Sequence, residues 1–283
     1  MTSPADRWFS GAGIRLHGLD WGGPEDGPLI LLLHGVGGNA WIWDDVAPRL
    51  RASVPGHHVV AIDQRDGGDT DHPAEGYDRA AFTGDVVAVH AALSEKPMTL
   101  VGHSRGGWLA ALIAATRPDI VERLVLVDPA RLAFADDDAS DRFYAAVERS
   151  LGPFADAAQA TAWARANDPA ADWTEVRTRS FLFGLRAAPD GSLVGKLPRG
   201  VLARLQDARR DGITVTTAVG GIRQPTLILV AERQPPERRA DKLRYGEVIP
   251  GSHVIRIDGS HHLQTDAPAE VASAIAAFVS GDA

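Results

Sequence analysis

The sequence has no cysteine, only 3 lysines beside 26 arginines, and no apolar run approaching the length of a membrane span. Without cysteine there is no disulfide framework, thiolate nucleophile, iron-sulfur cluster or Cys zinc site, so His, carboxylates and hydroxyls are left to carry any chemistry. The longest apolar runs, such as Leu29 to Leu33 and Trp108 to Ala115, are too short to cross a bilayer. Met1 to Ser10 lacks the basic-then-apolar order of an export signal, and a cytoplasmic location is the expectation. Basic clusters are missing as well. The 29 Lys and Arg are scattered among 37 Asp and Glu for a net charge of −8, which weighs against a nucleic-acid surface.

What is present is globular: 283 residues, 45% hydrophobic and 23% charged, enough for one large domain or a core with an inserted subdomain. Short apolar runs recur at Leu29 to Leu33, Val59 to Ile62, Met98 to Val101, Leu124 to Val127, Thr226 to Val230 and Val254 to Ile257. Their continuity, rather than alternation, suits strands covered on both faces. Helical spacing fills the gaps at Ala81 to Leu93, Gly107 to Thr116 and Pro268 to Val279. Strand alternating with helix predicts an α/β fold with a parallel sheet and helices on both faces. Trp8 to Ser10 and Ile14 to Trp21 read instead as an antiparallel hairpin. From about Arg131 to Gly212 the chain has helical pieces and no convincing strand, and a segment that long should have structure of its own. We expect core residues 1–130, a helical cap at 131–212 and further core at 213–283. Asp136-Asp137-Asp138 reads as a solvated helix start, and His57-His58 as structural rather than a metal pair. No metal or organic cofactor is implied.

After the strand at Met98 comes Gly102-His103-Ser104-Arg105-Gly106-Gly107, followed at once by a helix. A sharp strand-to-helix turn lifts Ser104 Oγ above the sheet, with glycines where a Cβ would clash, as an exposed nucleophile requires. Upstream, His34-Gly35-Val36-Gly37-Gly38-Asn39 follows a buried strand. Such a loop beside a nucleophile supplies N–H donors to a tetrahedral oxyanion, here from Val36 with Arg105 as the second donor. A phosphate cradle is the weaker reading, because neither G-x-x-x-x-G-K-[ST] nor G-x-G-x-x-G is present. Near the C-terminus a strand ends in Asp258-Gly259-Ser260-His261-His262-Leu263, where a general base could reach Ser104. Two histidines compete for that role.

Together these motifs resemble the α/β-hydrolase superfamily over essentially the full chain. The resemblance implies a mostly parallel sheet of about eight strands with a helical cap, Ser104 as nucleophile, and His262 as base with His261 in the small-residue place before it. Many relatives carry the acid after the seventh strand, but the matching stretch Ala231-Glu232-Arg233-Gln234 has Gln where Asp is expected. The family's other location is the end of the sixth strand, which implies Asp128 of Val127-Asp128-Pro129 as acid, with Glu232 as its rival. The stretch Asp63 to Asp69 looks like the family's D-x-R-G-x-G loop with Asp66 in a usual Gly place, its charges holding the loop together. His103 reads as packing.

The expected reaction is hydrolysis of a carboxylic ester or lactone through an acyl-enzyme. Trp41, Trp163, Trp173 and Phe181 are the candidates for an apolar substrate surface, and the expected partner is a small apolar or aromatic molecule. Carbon-carbon bond cleavage with the same residues, and a non-catalytic ligand binder, are the alternatives.

Overall fold

The apolar runs form one eight-stranded sheet in a computed structural model, which describes residues 3–132, 138–169, 171–210 and 218–281. The strands are β1 (Ala5–Ser10), β2 (Arg15–Asp20), β3 (Leu29–Leu33), β4 (His58–Ile62), β5 (Met98–His103), β6 (Val121–Val127), β9 (Thr226–Ala231) and β10 (His253–Ile257). They lie in the order β1-β2-β4-β3-β5-β6-β9-β10. β1 and β2 form the expected antiparallel hairpin, β2 is antiparallel to β4, and all further pairings are parallel.

Every residue of β3, β4, β5 and β9 is buried, which is why their sequences are apolar without alternation. On one face they pack with α2 (Arg79–Leu93), α3 (Arg105–Thr116) and α8 (Pro236–Val248), through residues such as Val86, Leu109 and Tyr245. On the other they pack with α1 (Ala47–Ser53) and α10 (Pro268–Ser280), through Leu50, Val271 and Ile275. β10 departs from the expectation of a strand covered on both faces: paired only with β9, it leaves Val254 and Ile255 exposed at the sheet edge.

Between β6 and β9 stand α4 (Asp138–Ser150), α5 (Ala157–Asn167), α6 (Glu175–Phe183) and α7 (Val201–Arg210). Asp156 and Thr174 cap α5 and α6 by accepting the N–H groups of Gln159 and Arg177. The segment is not wholly helical, as β7 (Leu185–Ala187) and β8 (Leu193–Gly195) make a small hairpin. Its turn carries Pro189-Asp190-Gly191, a turn signal present in the sequence. Asp136 and Asp137, like the expected boundary at 212, lie outside the described residues. Among the described residues no helix is long and apolar enough to cross a membrane.

The hairpin is tied to the sheet by charge. Asp20 accepts hydrogen bonds from Arg7, the Gly22 N–H and His58, so His58 has a structural partner. Burial raises the Asp20 carboxyl, but these partners outweigh it and hold its pKa at about 2. A depressed carboxyl contributes stability above its unfolded pKa and loses it as pH falls through the folded value. Asp20→Asn is therefore expected to cost roughly 1 kcal/mol at neutral pH, measured by urea denaturation. The difference from wild type should narrow as pH falls toward about 2; a difference constant with pH would contradict this origin.

Candidate active site

β5 delivers Ser104 to the turn before α3 with φ 53° and ψ −119°, a strained conformation for a residue with a side chain. The turn survives because its neighbours are glycines. A Cβ on Gly102 would stand 2.2 Å from the Gly106 carbonyl oxygen, and one on Gly106 would stand 2.4 Å from that of His34. The turn is also fastened by the Ser104 N–H, which donates to the Val127 carbonyl, and by the Ser104 carbonyl, which accepts from Ala130.

The loop after β3 comes against Ser104 so closely that a Cβ on Gly35 would lie 3.1 Å from the Ser104 Cβ. Val36 follows directly, and Arg105 opens α3, where the first N–H groups have no carbonyl within the helix to bond. The two expected oxyanion donors thus flank the serine. Asn39 caps the short 3₁₀ helix Ala40–Trp43 and also joins the cap, donating to the Ser180 carbonyl and accepting from Ser180 Oγ.

His261, rather than His262, is the histidine that faces the serine. Its Nε2 is 2.9 Å from Ser104 Oγ, and its Nδ1 is 2.5 Å from Asp128 Oδ2. Since the carboxylate accepts, Nδ1 carries the proton and the Nε2 lone pair is turned to the hydroxyl. The physical reason lies in the next helix. His262 is the N-cap of α9 (Leu263–Asp266), its carbonyl accepting from Thr265 and Asp266, so its ring is turned away from Ser104. Its Nε2 lies 3.9 Å from Asp168 of the cap. Burial, reinforced by the Arg177 guanidinium and the two neighbouring imidazoles, holds its pKa well below the ordinary histidine value. His261 is left just before that N-cap, with its carbonyl accepting from His103 Nε2 at 2.8 Å. His103 therefore does more than pack: it fastens the backbone of the residue that meets Ser104.

Asp128 directly follows β6, with φ 39°, and is fully buried. Its Oδ1 accepts the Ala231 N–H and the Gln234 side-chain amide, both at 3.0 Å, leaving Oδ2 for His261. Burial raises this carboxyl, yet the His261 hydrogen bond and charge, with the nearby Lys242 and the Ala231 N–H, bring it below the usual range. Lys242 itself is lowered, chiefly by burial. Gln234, which stands where the family often has an acid, donates instead to the Asp128 carboxylate. The Glu232 side chain is exposed.

The aromatic candidates separate. Trp163 and Phe181 join Phe154 and Leu185 in the cap's own apolar cluster. Trp173 stacks edge-on to Phe181 and lines an open groove with Arg165, Arg179 and Phe183. Trp41 meets Phe183 and lies under the Arg179 guanidinium. Among the described residues, the hydrogen bonds of Ser104 go to His261, Val127, Ala130 and Trp108 and to none of these four.

A mostly parallel sheet with a strained serine at the β5–α3 turn, an aspartate just after β6 and a histidine after the last strand defines a hydrolase of the α/β type. The chain belongs to the alpha/beta hydrolase fold family, whose model matches residues 28–268. It is 26% identical over 251 residues to 2-(acetamidomethylene)succinate hydrolase of Mesorhizobium japonicum, spanning 87% of this chain and 85% of that protein. Over 102 residues it is 39% identical to a mouse sn-1-specific diacylglycerol lipase, covering 36% of this chain and 32% of the lipase. The crystal structure of E-2-(acetamidomethylene)succinate hydrolase superposes with a TM-score of 0.81 at 23% identity, covering 98% of this chain and 99% of that one.

Proposed function

We propose that this hydrolase cleaves a carboxylic ester or lactone through an acyl-enzyme on Ser104. The carrying observation is the unbroken hydrogen-bonded chain from Ser104 Oγ through His261 to Asp128. His261 Nε2 accepts the serine proton as Oγ attacks the carbonyl carbon, and the backbone N–H groups of Val36 and Arg105 receive the developing oxyanion. The imidazolium then gives its proton to the leaving alkoxide. Water, deprotonated by the same nitrogen, attacks the acyl carbon and releases Ser104. Asp128 fixes the imidazole tautomer and supports its positive charge. A small substrate with apolar or aromatic character suits the aromatic cap.

A second reading, hydrolysis of a compound of the kind named in the Mesorhizobium relative, is favoured by the match to that protein along most of this chain. Both readings use Ser104, so the first test is chemical. Exposure to a fluorophosphonate should modify Ser104, located by mass mapping of the peptides, and Ser104→Ala should take up no label. Labelling elsewhere, or none at all, would contradict the mechanism. Turnover of short aryl esters by the labelling-competent protein favours the ester reading; turnover only of the acetamidomethylene compound favours the second.

A further inference from the structure

Two loops meet beside Ser104. Residues 34–38 carry the first proposed oxyanion donor, and residues 63–68 lie against them. The Gln64 N–H donates to His34 Nε2 at 2.8 Å and its side-chain amide to the His34 carbonyl at 2.6 Å. A Cβ on Gly67 would stand 1.9 Å from the Gly38 carbonyl oxygen, so the contact is backbone on backbone. Asp63 extends the support by accepting the Ala40 N–H at 2.6 Å.

Asp66 does something its neighbours do not. Its side chain is fully buried, and its two oxygens go in different directions. Oδ2 accepts the N–H of Gly37, next to Val36, at 3.2 Å, while Oδ1 accepts from the Arg105 guanidinium. Arg105 is the residue whose backbone N–H is the second proposed donor. Its guanidinium is held from another side by the Phe82 ring, 4.3 Å away. One carboxylate therefore bonds to the loop on one wall of the oxyanion pocket and to the residue that forms the other wall. A buried ion pair is weak as a source of stability, since desolvation offsets much of its attraction. Its hydrogen-bond geometry, in contrast, fixes distances, and an oxyanion pocket depends on donors held in place before charge develops.

We propose that Asp66 is a positioning residue of the oxyanion hole, setting the separation between the Val36 and Arg105 backbone donors through its bonds to Gly37 and the Arg105 side chain. This rests on the acyl-transfer reading above. Removing the tether leaves both donors in the chain but lets them drift, and a displacement of about 1 Å can cost roughly 100-fold in rate. Ground-state binding should change little, because the donors are aimed at the oxyanion rather than at the bound ester.

The test compares wild type, Asp66→Asn and the paired variant Asp66→Gly with Arg105→Leu, each assayed for kcat and KM on an aryl ester and for inhibition by an arylboronic acid. The boronate forms a tetrahedral adduct on serine and reports the pocket without turnover. Asp66→Asn is expected to lower kcat and weaken boronate inhibition together, each by roughly 10- to 100-fold, with KM within about threefold. A folded variant that keeps kcat and boronate affinity, or loses only KM, overturns the proposal. Should Asp66→Asn fail to fold, the paired variant removes both buried charges at once and keeps both backbone donors. It is expected to show the same loss, and wild-type kcat in it overturns the proposal. A wild type that neither turns over aryl esters nor takes fluorophosphonate at Ser104 overturns the acyl-transfer reading, and the role of Asp66 with it. An active wild type beside an unaffected Asp66→Asn overturns the role of Asp66 alone.

Discussion

Replacing His261 by alanine is expected to lower kcat by roughly 10⁴- to 10⁶-fold, the range seen when the base of a serine triad is lost. His262→Ala should stay within about tenfold of wild type, since its loss would act only through the packing of the loop. The two residues are adjacent, but only His261 presents a ring nitrogen to Ser104 Oγ, at 2.9 Å. His262 is turned toward the cap, with Arg177 among the groups that disfavour its charged form. Steady-state kinetics on an aryl ester, with circular dichroism to establish folding, makes the comparison. A collapse with His262→Ala and near-normal rates with His261→Ala would move the base by one residue and contradict the geometry described. Fluorophosphonate labelling gives an independent readout, because Ser104 needs the same base to react with it. It should slow sharply in His261→Ala and stay close to wild type in His262→Ala.

That pair also marks where sequence reasoning reaches its limit. The strands β3, β5, β6 and β9 are legible because burial on both faces demands continuous apolar residues, and such runs are short and bounded by turn residues. The serine turn is legible because its glycines have no substitute: Gly102 and Gly106 approach carbonyl oxygens more closely than any Cβ allows. The choice between His261 and His262 depends on where α9 begins, a matter of one residue that a motif's phase does not fix. Its N-terminus is set by contacts distant in sequence, among them the His103 bond to the His261 carbonyl. The Ser260 N–H bond to Asp266 adds a local constraint. Gln234 illustrates a related limit. A missing charge is visible in the sequence, but the amide's new partner, Asp128, is 106 positions away. The β7–β8 hairpin has three-residue strands, too short for any periodicity to register, and only its Asp-Gly turn could have announced it.

The acid can be tested with a substitution that alters one atom's role. Asp128→Asn keeps the shape of the side chain but is expected to lower kcat roughly 10⁴-fold, as the equivalent change does in the chymotrypsin-type triad. The reason is the tautomer. Asp128 Oδ2 accepts the His261 Nδ1 proton and leaves the Nε2 lone pair toward Ser104. Asparagine can place an amide N–H at that position, which reverses the tautomer and points the Nε2–H at the hydroxyl. The charge that stabilises the imidazolium is lost as well. Gln234 bonds the opposite oxygen, Oδ1, beside the Ala231 N–H, so Gln234→Ala removes one of several restraints on the carboxylate. A loss of only about 3- to 10-fold is expected there, in kcat rather than KM. Glu232→Gln should leave kcat at the wild-type value, because that side chain is exposed and its backbone, not its carboxylate, bonds the end of β10. A collapse with Glu232→Gln and a near-normal rate with Asp128→Asn would transfer the acid to the end of β9. The buried Asp128 would then be left the structural task of joining two strand ends through the Ala231 N–H.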